Sequence, residues 1–160
     1  MRRGYFIKLA ISGFILVIIS SVNLQAQLLD ESEISFDILK WHFHHYPKSE
    51  TKQWIDLGED TYTVSFVFES MDVSVVYDSR GKRIEERVDV SNSMPVSLVY
   101  HLDDQYEKYK VMRFEKVTKF KQDNSVGYEM KIRSKEKGDE QLYFDQNMVP
   151  IDFNLISKAD

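Results

Sequence analysis

The sequence has no cysteine. That excludes disulfides, thiol nucleophiles, cysteine-type zinc sites and lipidation at a leader cysteine. It has only three prolines and six glycines, and no stretch is of low complexity, which excludes collagen-like and disordered classes. It also lacks a Gly-x-Ser-x-Gly elbow, a phosphate-binding loop, a dinucleotide glycine fingerprint and a His-Glu-x-x-His pair, each the mark of a particular chemistry. Serines and histidines occur, but a triad is a spatial arrangement that their presence alone does not establish. The reading is of a protein that is not an enzyme and carries no cofactor.

Acid is missing from residues 1–26. Arg2 and Arg3 make a positive start, an apolar run follows from Leu9 to Ile19, and a short polar exit ends at Ala26. This order of charge, apolar run and small residue is that of a cleaved export signal. The run is too short to cross a hydrocarbon core, which takes about 20 residues, so no membrane span remains after cleavage. Leu24, three residues before the cut, is larger than such sites prefer. The mature chain, 27–160, is expected in the periplasm or secreted. Loss of Arg2, Arg3 and Lys8 takes the formal charge from −5 to −8. Such an acidic chain makes a poor nucleic-acid binder. Its length suits one domain with a real core.

Two periodicities alternate along the chain. Asp30 and Glu33 form a capping box before a helix in which Ile34, Ile38, Trp41 and His45 share a stripe, widened by Phe36, Leu39, Phe43 and Tyr46. Pro47 ends it. Tyr62, Val64, Phe66 and Phe68 then alternate with more polar neighbours as in a strand. Val73 to Tyr77 and Lys82 to Val90 flank the turn Asp78-Ser79-Arg80-Gly81 as an antiparallel hairpin. A second helix opens near Pro95 with Ser93 as cap, and Val96, Val99, Leu102 and Tyr106 form its apolar side. Strands follow at about 110–120, 125–133, 140–145 and 149–153. The class is α+β.

The halves resemble each other. His42 to Leu57 sets against His101 to Val117, Tyr62 to Phe66 against Tyr128 to Ile132, and Val76 to Asp78 against Tyr143 to Asp145. The spacing grows from 59 to 67 residues, which implies an insertion in the second half. The expectation is one domain built of two tandem repeats, about 30–91 and 92–156.

These motifs in their order resemble a known family. A helix ending Phe43-x-x-Tyr46-Pro47, then Trp54, then Tyr62-x-x-x-Phe66, then Val75-x-Tyr77-Asp78-x-x-Gly81-x-x-Ile84, then Met94-Pro95 is similar to the β-lactamase-inhibitor-like, PepSY-like periplasmic proteins. The resemblance implies two tandem helix-plus-antiparallel-sheet units forming one curved sheet, with helices packed on one face. It also implies an exported protein without established catalysis, some of whose relatives by fold bind or inhibit enzymes while others are uncharacterised. The second half departs from the pattern: Met148 stands where the first has Gly81, and Phe114 replaces the tryptophan.

Three groups of residues are candidates for function. Trp54, Tyr62 and Tyr77 are core aromatics or, if on an uncovered sheet face, anchors for a partner. Lys110, Arg113 and Lys116 belong to a basic stretch that either attracts an acidic partner or guards a sheet edge. His42 and His45, three apart on one helix, would form a metal site with His101 or an acid such as Asp103 as third ligand; alternatively His45 is a core histidine. The carboxylate pairs Glu59-Asp60, Glu85-Glu86 and Asp103-Asp104 read as solvated surface. The function expected is an exported binding module that holds a protein or peptide of the cell envelope on its sheet face or edge, as an inhibitor does. The alternative is a small-ligand or metal carrier using His42, His45 and His101.

Overall fold

The computed structural model describes residues 26–121 and 124–151. The leader read in residues 1–26 lies outside the described residues apart from Ala26, as does the end of the second repeat beyond Ile151. The chain opens with β1 (Gln27–Leu29), a 3-10 turn (Glu31–Glu33) and α1 (Phe36–His45). Four strands follow: β2 (Glu50–Gly58), β3 (Thr61–Phe68), β4 (Met71–Asp78) and β5 (Arg83–Asp89). A second 3-10 turn (Ser91–Ser93) leads into α2 (Val96–Gln105). Then come β6 (Tyr109–Lys119), β7 (Ser125–Ser134), β8 (Gly138–Asp145) and β9 (Pro150–Ile151). All nine strands join one open antiparallel sheet in chain order.

Side-chain alternation gives the sheet two unlike faces. One face carries Trp54, Val64, Phe66, Val73, Val75 and Tyr77 beneath α1, with Ile34, Ile38 and Tyr46 closing the cluster from above. Farther along, the same face carries Phe114, Met130, Ile132 and Phe144, closed by Leu98 and Leu102 of α2. The core is thus two clusters side by side, one helix to each.

The structure rotates the α1 stripe. Ile38 and His42 are the buried helical positions, whereas Trp41 and Phe43 are 42% and 40% exposed and His45 is exposed. The Asp30–Glu33 capping box exists, but it closes the 3-10 turn. Ser35 caps α1, its hydroxyl accepting from the Ile38 N–H at 3.4 Å. Likewise Ser93 lies in a 3-10 turn, Pro95 takes the N-cap position of α2, and Leu98 rather than Val96 points into the core.

Two strands escaped the sequence reading. β1 has three residues, and β2 buries only Trp54 fully, so neither alternates visibly. The turns on either side of β3 use non-glycine residues at positive φ: Glu59 (52°) with Asp60 (57°), and Glu69 (50°) with Ser70 (66°). Both residues left-handed is the geometry a two-residue hairpin needs, and asparagine-glycine is its usual signal. Glu59-Asp60 is therefore a hairpin turn as well as a surface pair. The basic stretch borders an edge only in part: Glu115–Lys119 of β6, with Lys116, pair with both β5 and β7, whereas Lys110 and Arg113 lie in the stretch of β6 registered with β7 alone. The edges are β1 and β9.

Candidate functional site: the open face of the sheet

The face opposite the helices carries Ser65 on β3, Ser74 on β4, Glu85 and Arg87 on β5, Glu115 and Val117 on β6, Glu129 on β7 and Tyr143 on β8. Register brings charged residues of three strands together. Arg87 sits opposite Val117, next to Glu115, and Glu115 faces Glu129. The Arg87 guanidinium donates through Nε to Glu85 at 2.6 Å, and through Nη1 to Glu129 at 2.7 Å and Glu115 at 3.2 Å. Arg113 adds an ion pair to Glu115 at 2.5 Å. Burial works against the Arg87 charge, but the hydrogen bonds to Glu129 and Glu85 outweigh it and raise its pKa. The Glu115 side chain is only 6% exposed. An isolated carboxylate buried so far would be costly; one held by two guanidinium groups is not.

Two recesses flank this cluster. One of about 380 Å³ is lined by Ser65, Ser74, Arg87, Asp89, Arg113 and Glu115. The other, of about 490 Å³, is lined by Val117, Lys119, Gly127, Glu129, Tyr143 and Ile151 among others. No helix of the described residues covers this face: both helices pack on the other one. Its charges come from strands 28 and 42 residues apart in sequence, so spacing alone could not show them. The one sequence signal is the alternation of Glu85 with Arg87, and the reading of Glu85-Glu86 as solvated surface is corrected here. Glu85 bonds Arg87 on the open face, and Glu86 bonds the Tyr46 hydroxyl on the helix face.

The aromatic candidates fall elsewhere. Trp54 (1% exposed) and Tyr77 (0%) lie under α1, and Tyr62 packs partly buried against the same cluster. Their side of the sheet is covered, so Trp54 and Tyr77 present no surface to a partner; this corrects the expectation. Lys110, Arg113 and Lys116 are exposed, but alternation sends Arg113 to the open face and Lys116 to the helix face.

The histidines do not assemble. His42 is fully buried; its Nδ1 lies 3.2 Å from the Tyr77 hydroxyl and its Nε2 3.1 Å from Ser49 Oγ. With both ring nitrogens engaged, it is the core histidine, in the place the sequence reading left open for His45. Burial, and then the nearby His45, lowers its pKa to about 4, so the imidazole is neutral at physiological pH. His45 and His101 line separate clefts. Among the described residues no group of three or more His, Asp or Glu side chains is placed to hold a metal ion.

Nine antiparallel strands in chain order, with two helices on one face, match several crystal structures. A BLIP-like protein from Bacteroides fragilis superposes with a TM-score of 0.59 at 14% identity, over 74% of this chain and 83% of that one. The fold is BLIP-like. The same BLIP-like arrangement occurs in a DUF2874 family protein from Bacteroides uniformis (TM-score 0.62, 15% identity, 74% and 86% of the two chains). It also occurs in a protein described as periplasmic from Bacteroides eggerthii (TM-score 0.62, 11% identity, 74% and 86%). At these identities the likeness is one of fold. No family model matches the sequence, and no curated protein matches it.

Proposed function

We propose that the chain is an exported, non-enzymatic binding module that holds a protein or peptide of the cell envelope on the open face of its sheet. The observation that carries this is the uncovered face itself: two recesses of about 380 and 490 Å³ beside a fixed cluster of charges. Pre-paired charges cost little reorganisation when a partner arrives and discriminate against wrong partners. The BLIP-like fold of a named inhibitor-like protein and the leader-like residues 1–26 support the same reading, as does the periplasmic description of a structural relative.

The two-repeat organisation, about 30–91 and 92–156, belongs to this proposal. Equivalent buried positions lie 60 residues apart: Ile38 and Leu98, His42 and Leu102, Trp54 and Phe114. The turns agree too. Asp78 Oδ1 accepts from the N–H groups of Arg80 and Lys82, and Asp145 Oδ1 from those of Asn147 and Val149. Register breaks fall between Thr51 and Gln53 in β2 and between Val111 and Arg113 in β6. A PepSY-like ancestry by duplication accounts for all three.

The test is affinity capture on immobilised residues 27–160, with envelope extract passed over wild type and over Ser74→Arg, which fills the first recess. A partner retained by wild type and lost by the variant at unchanged melting temperature supports the open face. Equal retention by both moves the interface elsewhere.

A further inference from the structure

A third cleft, about 390 Å³, lies on the other side of the molecule, where the β4–β5 turn meets α1. Its volume is that of a small-molecule site, about 300–1,000 Å³. The turn is seated tightly. Gly81 has φ +78°, and a Cβ there would stand 2.7 Å from Trp41 Cδ1 and 2.8 Å from the Asp37 carbonyl oxygen. The cleft is lined by the aromatic rings of Trp41 and Phe120, and by His45, Arg80, Lys82 and Arg83; no described Asp or Glu lines it. In a chain of net charge −5 this is a local reversal of sign.

The groups divide into floor and rim. The Arg83 guanidinium lies 4.2 Å over the Phe120 ring and donates to the Tyr46 hydroxyl at 3.1 Å, with Glu86 at 3.4 Å. It is committed to the wall. His45 stacks on Trp41 at 6.0 Å and 22°; burial, and then the Arg83 charge, lowers its pKa, so it serves as a neutral ring. Trp41 is still 42% exposed. The rim cations are uncommitted: Arg80 meets only Asp78, at 3.9 Å and with its own side chain 89% exposed, and Lys82 has no ion pair among the described residues. Aromatic walls beneath exposed cations, one weakly paired and one without an ion pair among the described residues, suit a flat ring bearing a negative charge.

We propose that this cleft binds an aromatic carboxylate, its ring against Trp41 and Phe120 and its carboxylate at Arg80 and Lys82. The site is independent of the open face, so either can fail without the other. Trp41 is also the reporter, because the other tryptophan, Trp54, is buried.

The experiment titrates N-acetyl-phenylalanine into the protein and follows tryptophan emission. N-acetyl-phenylalaninamide, which has the ring without the charge, and acetate, which has the charge without the ring, are the comparisons. A saturable change with the carboxylate, at least about tenfold weaker with the amide and absent with acetate, is expected. Trp41→Phe should remove the signal. Arg80→Gln/Lys82→Gln, two exposed changes, should erase the preference for carboxylate over amide without moving the melting temperature. A peptide ending in phenylalanine with a free carboxylate distinguishes the sources. Tighter binding of the peptide indicates a chain terminus, and equal binding a small molecule. No saturable change up to roughly 10 mM, an amide that binds equally, or a double variant that keeps the preference would overturn the proposal.

Discussion

His42 is the residue on which acid stability should turn. Its folded pKa of about 4 lies below the ordinary value of 6.5, so between those values the unfolded chain takes up the proton that the folded one refuses. Stability is therefore full above pH 6.5, falls as pH drops from 6.5 to 4, and levels off below. At about 1.36 kcal/mol per pKa unit the loss approaches 3 kcal/mol, measurable by urea unfolding at pH 7 and pH 4.5. The second half shows a way to remove this dependence. Under the proposed two-repeat organisation, Leu102 and Phe144, both buried, stand at the positions of His42 and Tyr77. His42→Leu alone leaves the Tyr77 hydroxyl without its imidazole partner and should cost about 1–3 kcal/mol at pH 7. His42→Leu/Tyr77→Phe should regain most of that and flatten the acid limb of the stability curve. An unchanged limb would mean that another group titrates.

At the scale of elements, the β4–β5 turn is where one small substitution should matter most. Gly81→Ala forces a methyl group into Trp41 and the Asp37 backbone at a positive φ. A loss of about 2 kcal/mol or more is expected in thermal unfolding, against about 1 kcal/mol for Gly138→Ala, which has the same φ but open space around it and so meets only the backbone strain. Where an element buries alternate residues, as β3, β4 and β7 do, the sequence alone revealed it. Where the hydrophobic signal thins to one residue, as in β2, or a hairpin turns on Glu59-Asp60 without glycine, it did not. Along the α1 stripe the expected Ile34 and Ile38 are buried, but Trp41 and Phe43 are apolar yet outward-facing and a buried histidine, His42, takes the inward position expected for Trp41 and His45. The helix itself was legible; the face it shows depends on what lies beneath. The charge cluster around Arg87 was the least legible part of all, since its members meet only once the strands are in register.

For the whole molecule, the decisive place is the seam between the two core clusters. It is a ladder of five residue pairs between β5 and β6, from Glu85↔Lys119 to Asp89↔Glu115. Arg87 straddles it, bonding Glu115 and Glu129 beyond the seam. Arg87→Met would leave three carboxylates facing one another with only Arg113 to answer them. The expected loss is about 3 kcal/mol, and hydrogen exchange should show the two halves opening independently where wild type opens them together. If protection falls equally everywhere and the halves stay coupled, the ladder alone holds the seam.

Because every strand lies beside its neighbour in sequence, no pairing has to wait for a distant part of the chain. As the polypeptide emerges from its N-terminus, the stretch from Ile34 to Tyr77, α1 and β2–β4 with their caps, already contains every buried residue of the first cluster. That half can close before β6 exists. Loop-closure entropy is then met in small steps rather than one large one, and assembly should be quick for so β-rich a protein. What remains exposed meanwhile is the β5 edge at the future seam, where Glu85, Arg87 and Asp89 place alternating charges along an edge awaiting its partner. The residues that later fix the open face can thus first act as guards, discouraging a half-made sheet from pairing with a stranger.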